Sequence, residues 1–243
     1  MLRLEIFDSP LTPPNGARKS WTVYQDLKRQ ILLGELTSRS PITEQALAAE
    51  YCCSQGTVRE ALLSLQEHGL VDRRGYQGTY VTQTSDEEAL VLVRLRLNLE
   101  CAGLERSTVL ATPCEISRLR EISSDYLDYR SRCDTFACAE IDRAFHLSIF
   151  SISDMPMLQP ILKRTLLHLH RYTISRNRGH IMWDKFVGDP HKPIIDAIAE
   201  GDADTAKTLM SKHITLALSL FAPDLHDIFF EDPTTTHAIT QLA

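Results

Sequence analysis

CCSQGTVREALLSLQEHGLVDRR, running from Cys52 to Arg74, decides the fold of the first part of the chain. Ser54 is a side-chain cap at the start of a helix. Val58, Ala61, Leu62 and Leu65 recur at i, i+3, i+4 and i+7, so that helix has one apolar face. Gly69 stops it. Leu70–Arg73 and Thr79–Thr82 are short β-like runs around the Arg74–Gly78 stretch, which predicts a hairpin.

Upstream, the spacing of Val23, Leu27 and Ile31 predicts a helix from about Trp21 to Leu33, closed by Gly34. A polar connector follows, and Thr43 caps a short helix over Glu44–Tyr51. Residues 1–19 hold Pro10, Pro13, Pro14 and Gly16 and read as a flexible arm. Two short helices joined by a tight turn, then a hairpin, are the order of a winged helix-turn-helix, here residues 20–84. In that arrangement the second helix enters the DNA major groove. Ser54, Gln55, Gly56 and Thr57 then lie at the helix start, where free backbone N–H groups attract phosphate. Gln55 has the geometry to pair with adenine, and Arg59, one turn in, to reach guanine or phosphate. Gln45 lies on the preceding helix beside backbone or base. Arg73 and Arg74 fall on the wing. The plainer alternative is a small helical domain whose arginines are only solvated.

Charge does not exclude DNA. The 243 residues carry a net charge of −6. Residues 1–84 hold nine Lys/Arg and nine Asp/Glu, and the remaining 17 and 23 lie beyond them, so the acidity belongs to the second part. No apolar run approaches the ~18 residues that span a membrane. The first residues include Glu5 and Asp8 and lack the apolar core of a secretory signal. A cytoplasmic protein with no membrane partner is expected. The six cysteines form no C-x-x-C pair and read as reduced core residues.

After Val81 the pattern becomes helical throughout. Ser85–Glu88 is a capping-box pattern opening a helix over Asp86–Leu110, and Thr112–Glu115 repeats it with proline at the first helical position. Further helices are predicted over about Thr135–Phe150 and Met157–Arg176, from Asp189-Pro190 to Gly201, and from Asp202 to Pro223. Residues 85–224 therefore predict an all-helical antiparallel bundle. Residues 225–243 read as a loose tail. The fold class is mainly α.

In the bundle, Asp142 and His146 are i, i+4 neighbours on one helix face, with Cβ atoms roughly 5–6 Å apart. His191 and His213 sit on two other helices. Directed inward, these four side chains are the donor types a divalent metal needs. Each also has an ordinary reading, as a surface pair, a first-turn polar residue or a core histidine. His168 and His170 point about 200° apart on one helix, so at most one faces a pocket. His68, His180, His226 and His237 read as surface or tail residues.

Val58-Arg59-Glu60-Ala61-Leu62, Leu65, Gly69-Leu70-Val71 and Gly78-x-Tyr80-Val81 resemble the N-terminal domain of the GntR family of bacterial transcription regulators. That resemblance implies dimers that bind DNA through Ser54, Gln55, Thr57, Arg59 and the wing around Gly78. The sequence departs from the family pattern at Gln55, where arginine is usual, and at Thr57, where proline is usual. Cys52-Cys53 replaces a common Gly-Val pair. Arg96-x-x-x-Glu100, Asp142-x-x-Phe145-His146, His191 and His213 resemble the FCD effector domain of the FadR-type branch. This implies that Asp142, His146, His191 and His213 hold a divalent ion, zinc first, with nickel and manganese as alternatives. Pro190 stands where a glutamate usually precedes the third ligand. The resemblance also implies a small carboxylate effector near the metal, with Arg96 as its clamp. The alternative for Arg96 is a surface ion pair with Glu100.

The expectation is a DNA-binding transcriptional regulator acting as a repressor. It is a homodimer on a palindromic operator, controlled by a carboxylate bound at a metal. One alternative makes the ion itself the signal. Another is a helical-bundle metalloenzyme in which the same residues activate water.

Overall fold

The computed structural model describes residues 18–73, 78–177 and 188–231. The chain divides between Thr84 and Ser85 into two compact units. The residue 1–17 part of the arm, Arg74 of the wing, His180, His237 and residues 232–243 of the tail lie outside the described residues. So does most of the Arg176–Lys185 stretch, to which the sequence assigns no role.

In the first unit, α1 (Arg18–Leu33) buries Val23, Leu27 and Ile31, and Gly34 closes it at a φ of 74°. It starts before the arm's predicted end at residue 19. The Thr43 hydroxyl accepts from the Ala46 N–H to start α2 (Glu44–Glu50). The Ser54 hydroxyl accepts from the Thr57 N–H at 3.1 Å to start α3 (Gln55–Glu67). The apolar face of α3, with Val58, Ala61, Leu62 and Leu65 fully buried, packs on α1 and α2. Gly69, at a φ of 73°, turns the chain into β1 (Val71–Arg73). β1 pairs antiparallel with β2 (Thr79–Val81), with Val71 opposite Val81 and Arg73 opposite Thr79. Among the described residues of this unit, three helices and a two-stranded wing result.

The second unit holds seven helices among the described residues. α4 (Asp86–Leu110) is central and packs against α6 (Thr135–Ile152), α7 (Gln159–Arg176), α8 (Lys192–Glu200) and α9 (Ala203–Phe221). α5 (Pro113–Ser131) packs on α6 and α8. Both predicted capping boxes form, at Ser85–Glu88 and Thr112–Glu115. Because neighbours surround α4, its buried residues run round the whole helix and include Arg96 and Glu100. At Gly103 a Cβ would come within 2.6 Å of the Phe150 ring, so glycine is what allows α4 and α6 this close approach.

Three readings need correction. Residues 225–231 are not a tail. Pro223 begins α10 (Pro223–Glu231) instead of merely ending α9, as its fixed φ allows, and α10 buries Leu225 and Phe229 against the bundle. The cysteines are free, but only Cys101 and Cys138 are buried. Cys52 and Cys133 follow helix ends at φ of 47° and 54°, a left-handed turn position, and are exposed there. His68, read as a surface residue, is half-buried, with Nδ1 2.9 Å from the Tyr24 hydroxyl.

Candidate functional site

The start of α3 presents Ser54, Gln55 and Gly56 exposed, with Thr57 half-buried. Ser54 and Thr57 engage each other through both the cap bond and a 2.9 Å contact between their hydroxyls. Gln45 is exposed on α2, and Gly78 is exposed just before β2 at a φ of 98°. Arg59 is exposed but not loose. Its Nε and a terminal nitrogen donate to both oxygens of Glu44, at 3.1 and 2.7 Å. Arg73 donates to the same carboxylate at 2.9 Å. The bond from Arg59 is the main cause holding the Glu44 carboxyl below its ordinary range. Glu44 was not singled out from sequence. Its position just after the Thr43 cap gives an acid in the first turn a sufficient reason of its own.

In the second unit the structure brings Asp142, His146, His191 and His213 together from α6, the start of α8, and α9. One donor atom from each lies within 4.8 Å of all the others. His191 Nε2 is 3.1 Å from Asp142 Oδ1, and His146 Nε2 is 3.2 Å from His213 Nε2. His146 Nε2 is 3.5 Å from Asp142 Oδ2, and His213 Nε2 is 3.7 Å from Asp142 Oδ1. Metal bonds of about 2.0–2.2 Å separate neighbouring donors by roughly 3–4 Å, so both the spacing and the donor types fit a divalent ion.

The supporting contacts are equally specific. His146 Nδ1 lies 2.5 Å from Glu100 Oε2, which makes Nδ1 the protonated nitrogen and Nε2 the one that carries the lone pair, facing both the cluster and the Arg96 guanidinium. Arg96 donates from Nε to Glu100 Oε1 at 2.7 Å, and its terminal nitrogen lies 2.7 Å from His146 Nε2. Burial works against an ionised Glu100, but the Arg96 guanidinium and the hydrogen bonds from His146 and Arg96 outweigh it and hold the carboxyl at about 2. Burial pushes His146 down to about 4, which keeps the ring neutral and able to ligate. Burial also opposes ionisation of Asp142, and the surrounding imidazoles, His146 first, hold it well below the carboxylate range. His191 is lowered, chiefly by burial.

His191 is positioned by its surroundings. Its ring stacks on Phe145 at 4.0 Å and meets the Tyr126 ring edge-on at 4.8 Å. Asp189 Oδ1 accepts from the backbone N–H groups of His191 and Lys192 and from the Ser123 hydroxyl. The His191 Nδ1 is buried with no hydrogen-bond partner.

His170 is the member of the His168/His170 pair that faces inward. Its Nε2 is 3.2 Å from Asp142 Oδ2, opposite the oxygen nearest His191 and His213. Arg96, Asp142, His170 and His213 all border a cavity of about 100 Å³. Arg96 is thus both paired with Glu100 and buried at a cavity, rather than on the surface. Sequence reasoning gave Glu100 no role of its own, although its i, i+4 spacing from Arg96 was visible.

The FCD domain family matches residues 91–216, more than half of the chain. The family of bacterial regulatory proteins, gntR family, matches residues 19–81. The chain belongs to the GntR family and carries an FCD domain. This GntR-family protein is a DNA-binding transcriptional regulator, not an enzyme, so the metalloenzyme alternative falls. It is 29% identical over 223 residues to the HTH-type transcriptional regulator BphR of Paraburkholderia xenovorans, covering 87% of this chain and 89% of BphR. It is 24% identical over 198 residues to the HTH-type transcriptional repressor RspR of Escherichia coli, covering 79% and 84%. Among solved structures, E. coli McbR/YncC matches with a TM-score of 0.72 at 19% identity, over 85% of this chain and 98% of that one, a likeness of fold. Among the described residues no helix is long and apolar enough to cross a membrane.

Proposed function

We propose that this GntR-family regulator is a homodimeric repressor whose operator affinity is set by a small carboxylate bound beside a divalent metal. Asp142, His146, His191 and His213 hold the ion, zinc first. When bound, it supplies an electrophilic position that a carboxylate oxygen can occupy. Arg96 borders the same cavity and supplies the charge-assisted hydrogen bonds that orient such an anion. Gln45, the Ser54–Thr57 helix start, Arg59 and the wing at Arg73, Arg74 and Gly78 meet the operator. Two copies on a palindrome present two recognition helices to two half-sites. The effector controls binding only so far as it favours one arrangement of the dimer over another.

The convergence of four donor atoms within 4.8 Å, two of them from residues that line a cavity, Asp142 and His213, carries this reading. Its test is the metal content of natively purified wild type and His191→Ala by mass spectrometry. About one ion per chain in the wild type, lost in the variant, is expected if these four residues form one site. A metal-free wild type that stays metal-free after reconstitution with zinc, nickel and manganese overturns it.

A further inference from the structure

The cavity beside the metal cluster is lined by the charged and imidazole side chains of Asp142, His170, His213 and Arg96 and by the hydroxyl-bearing Tyr126, Thr135 and Thr173, and the rest of its surface is mostly carbon. The apolar part has a direction. On α9, Ile214, Ala217, Leu218 and Phe221 follow His213 along one face, and all five line the cavity. At 1.5 Å per residue, His213 to Phe221 spans about 12 Å. Val93 from α4 and Ile174 from α7 also line the cavity. The Thr173 hydroxyl, also at the wall, already donates to the backbone carbonyls of its own helix at Leu169 and His170. It is not a spare donor.

This wall discriminates among carboxylates. A polyhydroxylated acid would set several hydroxyls against a mostly carbon surface that has few polar groups to pair with them, and each one left unpaired costs binding. A dicarboxylate would place its second charge against the same surface, at greater cost. An apolar tail loses nothing there and gains with each methylene removed from water. The volume of about 100 Å³ is on the scale of cavities that admit one benzene ring.

We propose that the effector is an apolar monocarboxylate, with a single ring or a short alkyl chain, its carboxylate at the His213 end and its tail along α9 toward Phe221. This rests on the carboxylate-at-metal reading above and narrows it to one chemical class.

The test is titration calorimetry on the full-length, zinc-reconstituted protein. The probes are acetate, butanoate, hexanoate, benzoate, gluconate, succinate and hexan-1-ol. Affinity should rise roughly fourfold per methylene from acetate to hexanoate, as burial of each CH₂ predicts. Gluconate and succinate should bind at least about tenfold more weakly than hexanoate, given the cost of burying unpaired polar groups. Ala217→Leu, which fills the apolar side, should weaken hexanoate by about tenfold or more while leaving acetate binding and metal content unchanged. Retained acetate binding shows that the variant is folded. Gluconate or succinate binding as tightly as hexanoate, or a flat series from acetate to hexanoate, overturns the apolar-tail proposal and leaves the carboxylate reading intact. Hexan-1-ol binding as tightly as hexanoate removes the carboxylate reading while supporting the apolar wall. No binding by any probe overturns both.

Discussion

Glu44 grips Arg59 with both of its carboxylate oxygens, at 3.1 and 2.7 Å, and one of them also accepts from Arg73 at 2.9 Å. A single acid on α2 therefore fixes one cation of the recognition helix and one of the wing. In the proposed reading these are two of the groups that meet DNA. Glu44→Ala frees both and removes a negative charge from that face. The expected result is tighter binding to random duplex, because phosphate attraction grows, and a lower ratio of operator to random-duplex affinity, because Arg59 loses its fixed direction. Both duplexes should be titrated at several salt concentrations. An unchanged or higher ratio would show that the pairing does not orient the arginines for recognition. Stability should change by about 1 kcal/mol or less, since Arg59 is solvent-exposed and Glu44 and Arg73 are only half-buried.

Arg59→Ala should weaken operator binding by about 1–3 kcal/mol if Arg59 reads a base. Binding to a footprinted operator and to variants of each half-site position measures this. Equal losses on every sequence would move Arg59 from a base to a phosphate.

Zinc should raise the melting temperature of the metal-free wild type in proportion to the logarithm of its concentration, because it binds the folded chain. Asp142→Ala should abolish that rise, since Asp142 faces His146, His191 and His213 together. Calorimetric melts with and without chelator check this, and a variant that still responds to zinc would place the ion elsewhere.

Gly103→Ala tests the packing of α4 on α6. The added methyl meets a buried Phe150 ring at 2.6 Å, so a destabilisation of about 1–3 kcal/mol is expected in denaturant titration. Combining it with Phe150→Leu should cost less than the sum of the two single changes.

Phe229→Ala tests whether α10 belongs to the core. Phe229 is fully buried, so truncation should cost about 3–5 kcal/mol. A loss below about 0.5 kcal/mol, the range of surface substitutions, would return residues 225–231 to the status of a dispensable tail.

The helices were legible where local chemistry marks their ends. Ser54, Ser85, Thr112 and Asp202 cap the elements expected of them. Pro223 misled because proline suits a first turn as well as a stop. The inward turn of α7 could not be read, because Leu162, Leu166, Leu167, Leu169 and Ile174 are buried around much of its circumference and no stripe favours His170 over His168. The Arg96–Glu100 spacing was plain, but an i, i+4 pair looks the same on a surface and in a core. Only the central place of α4 distinguishes them. The four converging ligands lie on elements up to 71 positions apart, from Asp142 to His213, and periodicity along one helix carries no information across that distance.

The hold on His191 has one more consequence. Its ring is wedged between Phe145 and Tyr126, and its backbone is pinned through Asp189, which also ties α5 to the start of α8 through Ser123. The conformational entropy of ordering this imidazole is therefore lost when the bundle folds and not again when a ligand arrives. Loosening the Ser123–Asp189 contact would shift that loss to the moment of binding, and a residue that touches no ligand would then set how tightly one is held.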